Sequence, residues 1–165
     1  AGYSNLAIGT ARLFGYRLPE NFNRPYLKRN LREFWRSWHM SLTSWLRDYV
    51  YIPLGGSRRG YCRTLLNTLV LMVVCGIWHG STWNFLIWGV YHGLGLVTVR
   101  VYGSLLQALP DARLWNQLKD FLEHSWFSYA VSLVITFIFV AVGWVFFFNS
   151  WEASLQIIRY VVSGD

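Results

Sequence analysis

Charge is the scarcest commodity in this chain. Asp, Glu, Lys and Arg make up 14% of its 165 residues, against about 25% in an ordinary soluble domain. So little charge cannot cover a water-facing surface, which excludes a conventional soluble fold. Cysteine is nearly absent as well. Cys62 and Cys75 stand alone, with neither metal-ligand spacing nor the pattern of a disulfide framework, and they are expected to be unpaired. The chain has no His-x-x-x-His or Cys-x-x-Cys pair, so no metal is expected. Gly55-Gly56 leads into no phosphate-loop lysine, and no Gly-x-Ser-x-Gly elbow occurs, which removes P-loop nucleotide chemistry and serine-elbow hydrolysis from consideration. There is no internal repeat or low-complexity tract. Residues 1–20 lack the basic start, apolar middle and cleavage site of a signal peptide.

What is present is apolar and aromatic. Hydrophobic residues reach 54% and aromatics 19%, with ten Trp. Trp and Tyr in such excess suit the headgroup level of a bilayer. Residues 64–99 carry no Asp, Glu, Lys or Arg, a run longer than the roughly 20 residues that one crossing needs. The net charge of +7 is lopsided: residues 1–63 hold eleven Lys and Arg against three acidic residues, and the remainder holds four against five. Because the basic residues are interleaved with Trp, Phe and Leu, the expected partner is an anionic membrane surface, or an anionic ligand at it, and not nucleic acid. The chain opens at "AGYSNLAIGT" without Met, and it is expected to be a piece of something longer.

Charge and Pro/Gly punctuation divide the chain into an all-α sequence of zones. Residues 1–27 hold a short small-residue segment, Gly2–Phe14, and the loop "RLPENFNRPY", where Pro19 and Pro25 disfavour helix before them. Residues 28–60 place Leu31, Phe34, Trp35, Trp38, Leu42, Trp45, Leu46 and Tyr49 in one helical stripe. Arg29, Arg32, Glu33, Arg36 and Arg47 fall opposite, the pattern of a basic amphipathic helix lying in or re-entering an interface. Arg47-Asp48 is expected to be a structural ion pair. Pro53 and "GGSRRG" end this zone.

Residues 61–101 form a hydrophobic pair, about 64–79 and 82–100, joined at His79-Gly80-Ser81. The first of these looks short for a full crossing. Gly89 and Gly93 have the small-xxx-small spacing of close helix packing. Residues 102–125 are a polar connector with Pro110, Asp111, Lys119, Asp120 and Glu123. Residues 126–148 predict a transmembrane helix, and 149–165 a tail. Positive-inside reasoning places Arg58, Arg59 and Arg63 on the cytoplasmic side.

The four histidines, His39, His79, His92 and His124, are the groups able to do chemistry. An imidazole exchanges protons near neutral pH, and a neutral one in an apolar setting can take a proton from an alcohol as it attacks an acyl carbonyl. A histidine on an apolar helix is more often a packing or hydrogen-bonding group, and that reading is favoured for His92, between Gly89 and Gly93, and for His124, in the connector. By physics alone, an acyltransferase and a proton-coupled transporter remain open.

Two blocks decide between them by resemblance. "ENFNRPYLKRNLREFWRSWHMSLTSWLRDYVYIPLGGSRRG" and "GIWHGSTWNFLIWGVYHG" resemble the membrane-bound O-acyltransferase superfamily, in its bacterial alginate O-acetylase-like branch, related to the D-alanyl-lipoteichoic acid transferases. The resemblance implies a multi-pass helical bundle of the inner or plasma membrane, traversed by a tunnel, of which this chain is a part. It implies that His79, in Trp78-His79-Gly80, and His39, in Trp38-His39-Met40-Ser41-Leu42, line that tunnel as the catalytic pair. Trp78, Gly80, Trp38 and His92 are the implied substrate-binding residues, with Gly80 letting the backbone turn close to substrate. No cofactor is implied. The co-substrate would be an acyl donor such as acetyl-coenzyme A or an acyl-carrier thioester. The partners would be membrane lipid, an extracytoplasmic acetyl-transfer protein and a polysaccharide acceptor. The expected function is O-acetylation of a secreted or cell-surface polysaccharide. D-alanyl or other acyl transfer to a cell-wall polymer or lipid hydroxyl, and a non-enzymatic scaffold or transporter element, are the alternatives.

Overall fold

Three long apolar helices carry the architecture, with shorter helices laid across and beyond them. The computed structural model describes residues 2–108 and 113–164. In chain order the helices are α1 (Gly2–Leu13), a 3-10 turn (Pro25–Leu27), α2 (Leu31–Ser37), α3 (Met40–Leu46) and a π-helical turn (Arg47–Tyr51). These are followed by α4 (Tyr61–His79), α5 (Trp83–Ala108), α6 (Arg113–His124), α7 (Trp126–Phe148) and α8 (Trp151–Ser163). Among the described residues there is no strand. α4, α5 and α7 are each long and apolar enough to cross a membrane.

α4 and α5 form a tight hairpin because small residues let the backbones meet. A Cβ on Gly89 would lie 2.5 Å from the Met72 carbonyl oxygen, one on Gly93 would lie 2.8 Å from Leu69 Cδ1, and one on Gly76 would collide with the Phe85 carbonyl oxygen. The predicted Gly89/Gly93 packing face is therefore real, and Gly76 completes it from the other helix. α7 packs on α5 through Tyr91, whose ring stacks on Phe139 at 4.1 Å and whose hydroxyl donates to the Phe139 carbonyl at 2.9 Å. At the opposite end of α7, Asn84 Nδ2 donates to the carbonyls of Phe146 and Asn149. Side-chain hydrogen bonds to backbone are well placed here, since lipid offers no partner to a polar group left open.

α4 is longer than the sequence reading allowed. It starts at Tyr61, taking in Cys62 and Arg63, and its 19 residues span roughly 28 Å at about 1.5 Å each. His79 thus ends a helix of near-crossing length. α7 occupies the predicted 126–148. The connector is mostly helical: α5 runs on to Ala108 and α6 follows, while Pro110 and Asp111 lie outside the described residues. Its His124 meets Asp120 in an exposed contact, Nδ1 to Oδ1 at 2.9 Å. The tail is likewise a helix, α8, capped by the Ser150 hydroxyl, which accepts from the Ala153 amide.

The basic amphipathic helix expected over 28–60 is not one helix. It breaks at Trp38-His39 into α2 and α3, then passes through the π turn. α2 starts where Asn30 Oδ1 accepts from the Glu33 amide while Asn30 Nδ2 donates to the Glu33 carboxylate, a side-chain cap that satisfies one open helix donor. The break swings the second half away. Leu31, Phe34, Trp35, Leu42 and Leu46 enter the core, whereas Trp45 and Tyr49, assigned to the same stripe, are 50% and 67% exposed. Arg47 and Asp48 do pair, at 2.8 Å. That hydrogen bond holds the Asp48 carboxyl below its usual range, and an exposed pair of this kind stabilises little.

Candidate active site

The site is assembled from five segments around a cavity of about 270 Å³. His39 and Trp38 come from the α2–α3 break, and Tyr26 from the 3-10 turn that precedes it. His79 comes from the end of α4, Trp88 from α5, and Trp144, Phe147 and Phe148 from α7. Both histidines implied as the catalytic pair therefore face one space, although forty positions separate them in the chain.

Local backbone chemistry aims each imidazole. His39 has φ 44° and ψ 54°, a left-handed conformation that costs a non-glycine residue about 1–2 kcal/mol. The left-handed residue ends the path of α2, restarts the chain as α3 and turns the side chain off the amphipathic stripe. His39 occupies the N-cap position of α3 yet makes no capping hydrogen bond, so its ring is not spent on its own helix. Its Nδ1 is buried with no hydrogen-bond partner among the described residues, a costly state for a polar atom in an apolar setting. His79 is the last residue of α4, where Gly80 N bonds back to the Ile77 carbonyl.

The walls are aromatic. The His79 ring lies 4.8 Å from Phe147, 5.3 Å from Trp88 and 4.9 Å from Trp78. Trp78 in turn lies 6.2 Å from His39, so one indole touches both histidines, although Trp78 itself is 56% exposed and outside the cavity lining. Trp38 stacks on Phe34 at 5.5 Å and leans on Trp144 at 5.1 Å. Trp144 Nε1 donates to the Tyr26 hydroxyl at 3.1 Å, which fastens the 3-10 turn to α7. Among the described residues, no cluster of three His, Cys, Asp or Glu is placed to hold a metal ion.

Two sequence expectations change. Gly80 has φ 163°, extended backbone that any residue adopts, so no special turn accounts for it. The glycine is needed because a Cβ there would lie 2.7 Å from the Phe85 ring. His92 does not reach the cavity. It is 1% exposed and enclosed by Trp35, Trp88, Tyr91 and Phe139 at 4.9–5.6 Å, and neither ring nitrogen has a hydrogen-bond partner among the described residues. The structure sets it behind Trp88 as a second layer. The sequence reading missed Tyr26, Trp144 and Phe147 as cavity residues. Local pattern could not reveal them: α7 is uniformly apolar and its inward side emerges only when it packs on α5, and Tyr26 is tied to that side by the Trp144 hydrogen bond.

The sequence profile of the membrane-bound O-acyltransferase family matches residues 1–140. The chain belongs to that family. Among curated relatives, it is 44% identical over 147 residues to the probable alginate O-acetylase AlgI of Pseudomonas aeruginosa, covering 89% of this chain and 25% of that protein. It is 34% identical over 167 residues to the peptidoglycan O-acetyltransferase of Helicobacter pylori, covering 98% and 28% respectively. It is 34% identical over 154 residues to the teichoic acid D-alanyltransferase of Streptococcus thermophilus, covering 89% and 37%. The chain spans about a quarter of the length of the alginate O-acetylases it matches. Family membership and three crossing-length helices make this a membrane protein, with both cavity histidines inside the matched region.

Proposed function

We propose that this chain forms the histidine-bearing part of a multi-pass O-acyltransferase of the bacterial inner or plasma membrane. It acetylates a secreted or cell-surface polysaccharide of the alginate kind. The observation that carries the reading is the convergence of His39 and His79 on one aromatic-walled cavity. The similarity to acetyl- and D-alanyl-transferring relatives supports the acyl class.

In this reading neutral His79 accepts the proton of an acceptor hydroxyl as its oxygen attacks the acyl carbon of a thioester. The carbon–sulfur bond breaks, and the proton passes to the departing thiolate. His39, across the cavity, orients the hydroxyl or shares that proton. Such proton transfer contributes about 10²–10⁴-fold to a rate. The thioester is acetyl-coenzyme A or an acyl-carrier thioester reaching the cytoplasmic side, drawn to the basic half of the chain. An extracytoplasmic acetyl-transfer protein completes delivery to the polymer. His92 supports Trp88 from behind.

The test is His79→Gln in the full-length protein. Polysaccharide acetyl content is expected to fall by at least about a hundredfold in rate, with membrane insertion unchanged. Undiminished acetylation would point to a scaffold, and His79-dependent proton flux without transfer to a transporter element. Transfer of D-alanine to a cell-wall polymer in the same preparation would select the alternative acyl group that the teichoic acid relative keeps in view.

A further inference from the structure

The left-handed break at His39 is held by a segment that lies sixteen to eighteen positions earlier. Asn21 occupies the place that a capping residue would take at the start of α3. Its side-chain Oδ1 accepts from the Ser41 amide at 2.9 Å and from the Ser41 hydroxyl at 3.0 Å, and its backbone carbonyl accepts from the Met40 amide at 3.0 Å. Two residues on, the Asn23 amide donates to the Ser37 carbonyl at 2.9 Å, closing the end of α2. Between them the Phe22 ring meets Trp38 edge-on at 5.0 Å and His39 at 6.0 Å. Three consecutive residues thus bind the end of one helix, the start of the next and the two rings at the joint.

The chemistry explains the division of labour. An N-cap is normally a short polar side chain that accepts from the first free amides of its own helix. His39 stands at that position and makes no such bond. Were its imidazole to cap α3, it would be withdrawn from the cavity. By supplying the acceptor from elsewhere in the chain, Asn21 satisfies the helix and leaves the imidazole free to face His79. We infer that Asn21 is a positioning residue for His39, acting through the cap of α3 to hold the imidazole in the cavity. This rests on the reading of His39 as part of the transfer site.

The experiment uses the full-length protein and two readouts. In the first, transfer is compared for Asn21→Ala and Asn21→Asp, the latter keeping an oxygen where Asn21 Oδ1 accepts. Asn21→Ala is expected to lower kcat about ten- to a hundredfold, the scale of a misplaced reacting group, with a smaller change in KM. Asn21→Asp is expected to restore most of it. In the second, His39→Cys reports position independently of catalysis, by its rate of labelling with a small methanethiosulfonate in membrane-inserted protein. Adding Asn21→Ala is expected to shift that rate by at least about tenfold, as loss of a cap-held geometry would. Should Asn21→Ala fail to insert, Asn21→Leu, close to Asn in shape and without an acceptor, replaces it in both arms with the same expectation. Unchanged labelling, or full transfer in Asn21→Ala, overturns the inference. Full transfer in His39→Ala instead overturns the role given to His39, and the labelling arm still decides whether Asn21 positions it.

Discussion

His39 combines two demands that usually fall on different residues, a backbone conformation and a reactive side chain. They can be separated by substitution. Asn tolerates left-handed backbone well and lacks the imidazole, so His39→Asn is expected to keep the thermal unfolding midpoint in detergent and to lose transfer. A β-branched residue suffers in both respects: His39→Val is expected to lose transfer and also about 1–2 kcal/mol of stability. Equal midpoints for the two variants would show that residue 39 carries no left-handed strain in the folded protein. His92 poses the opposite case, a polar ring whose surroundings are all packing. A Cβ on Gly143 would lie 2.6 Å from His92 Nε2, so Gly143→Ala is expected to cost about 1–3 kcal/mol through overpacking, measured as a lowered unfolding midpoint.

At the scale of elements, the α4–α5 hairpin fixes where His79 stands relative to Trp88. Its contact is backbone on backbone, and the Met72 carbonyl that faces Gly89 cannot rotate away as a side chain could. Gly89→Ala should therefore splay the hairpin, lowering transfer and the unfolding midpoint together, an effect of about 1–3 kcal/mol. The Asn84 bonds to the α7 carbonyls act at the same end of the bundle, where Phe147 and Phe148 complete the cavity. Loss of such an intramembrane bond averages about 0.6 kcal/mol, so Asn84→Ala is expected to reduce transfer more than stability. Much of this level was legible in advance. Apolar run length, Gly spacing and the Gly-Ser joint specify α5, α7 and the hairpin almost unaided, because desolvated backbone must form helix. The single amphipathic helix over 28–60 was misjudged for a definite reason. Periodicity continues through Trp38 and His39 as though the helix did, while the break is imposed by Asn21 and Asn23, which no helical window contains.

At the scale of the whole molecule, the two cysteines report how the hairpin sits in the bilayer. Cys62 is exposed beside the Arg58-Arg59 turn, and Cys75 is buried. If that turn is cytoplasmic, an impermeant maleimide should label Cys62 only after the membrane is opened, in a background with other cysteines replaced, and Cys75 should stay unlabelled throughout. Labelling of Cys62 from outside intact cells would reverse the orientation. Outward-facing residues of α7, among them Ile135 and Ile138 at 62% and 55% exposed, present an apolar face that suits lipid or further helices of the longer protein.

The sequence by itself determined the solvent this protein lives in, its helical class, the approximate places of its apolar helices and the two motifs that hold its histidines. Each follows from transfer free energy and spacing along the chain, which need no knowledge of what packs where. Only the tertiary structure decided that His39 and His79 share a cavity, that His92 stands behind its wall, and that a loop from the start of the chain props the imidazole open. Those outcomes depend on contacts between segments far apart in the chain, made by side chains whose own neighbourhoods look the same whether they face lipid, core or substrate.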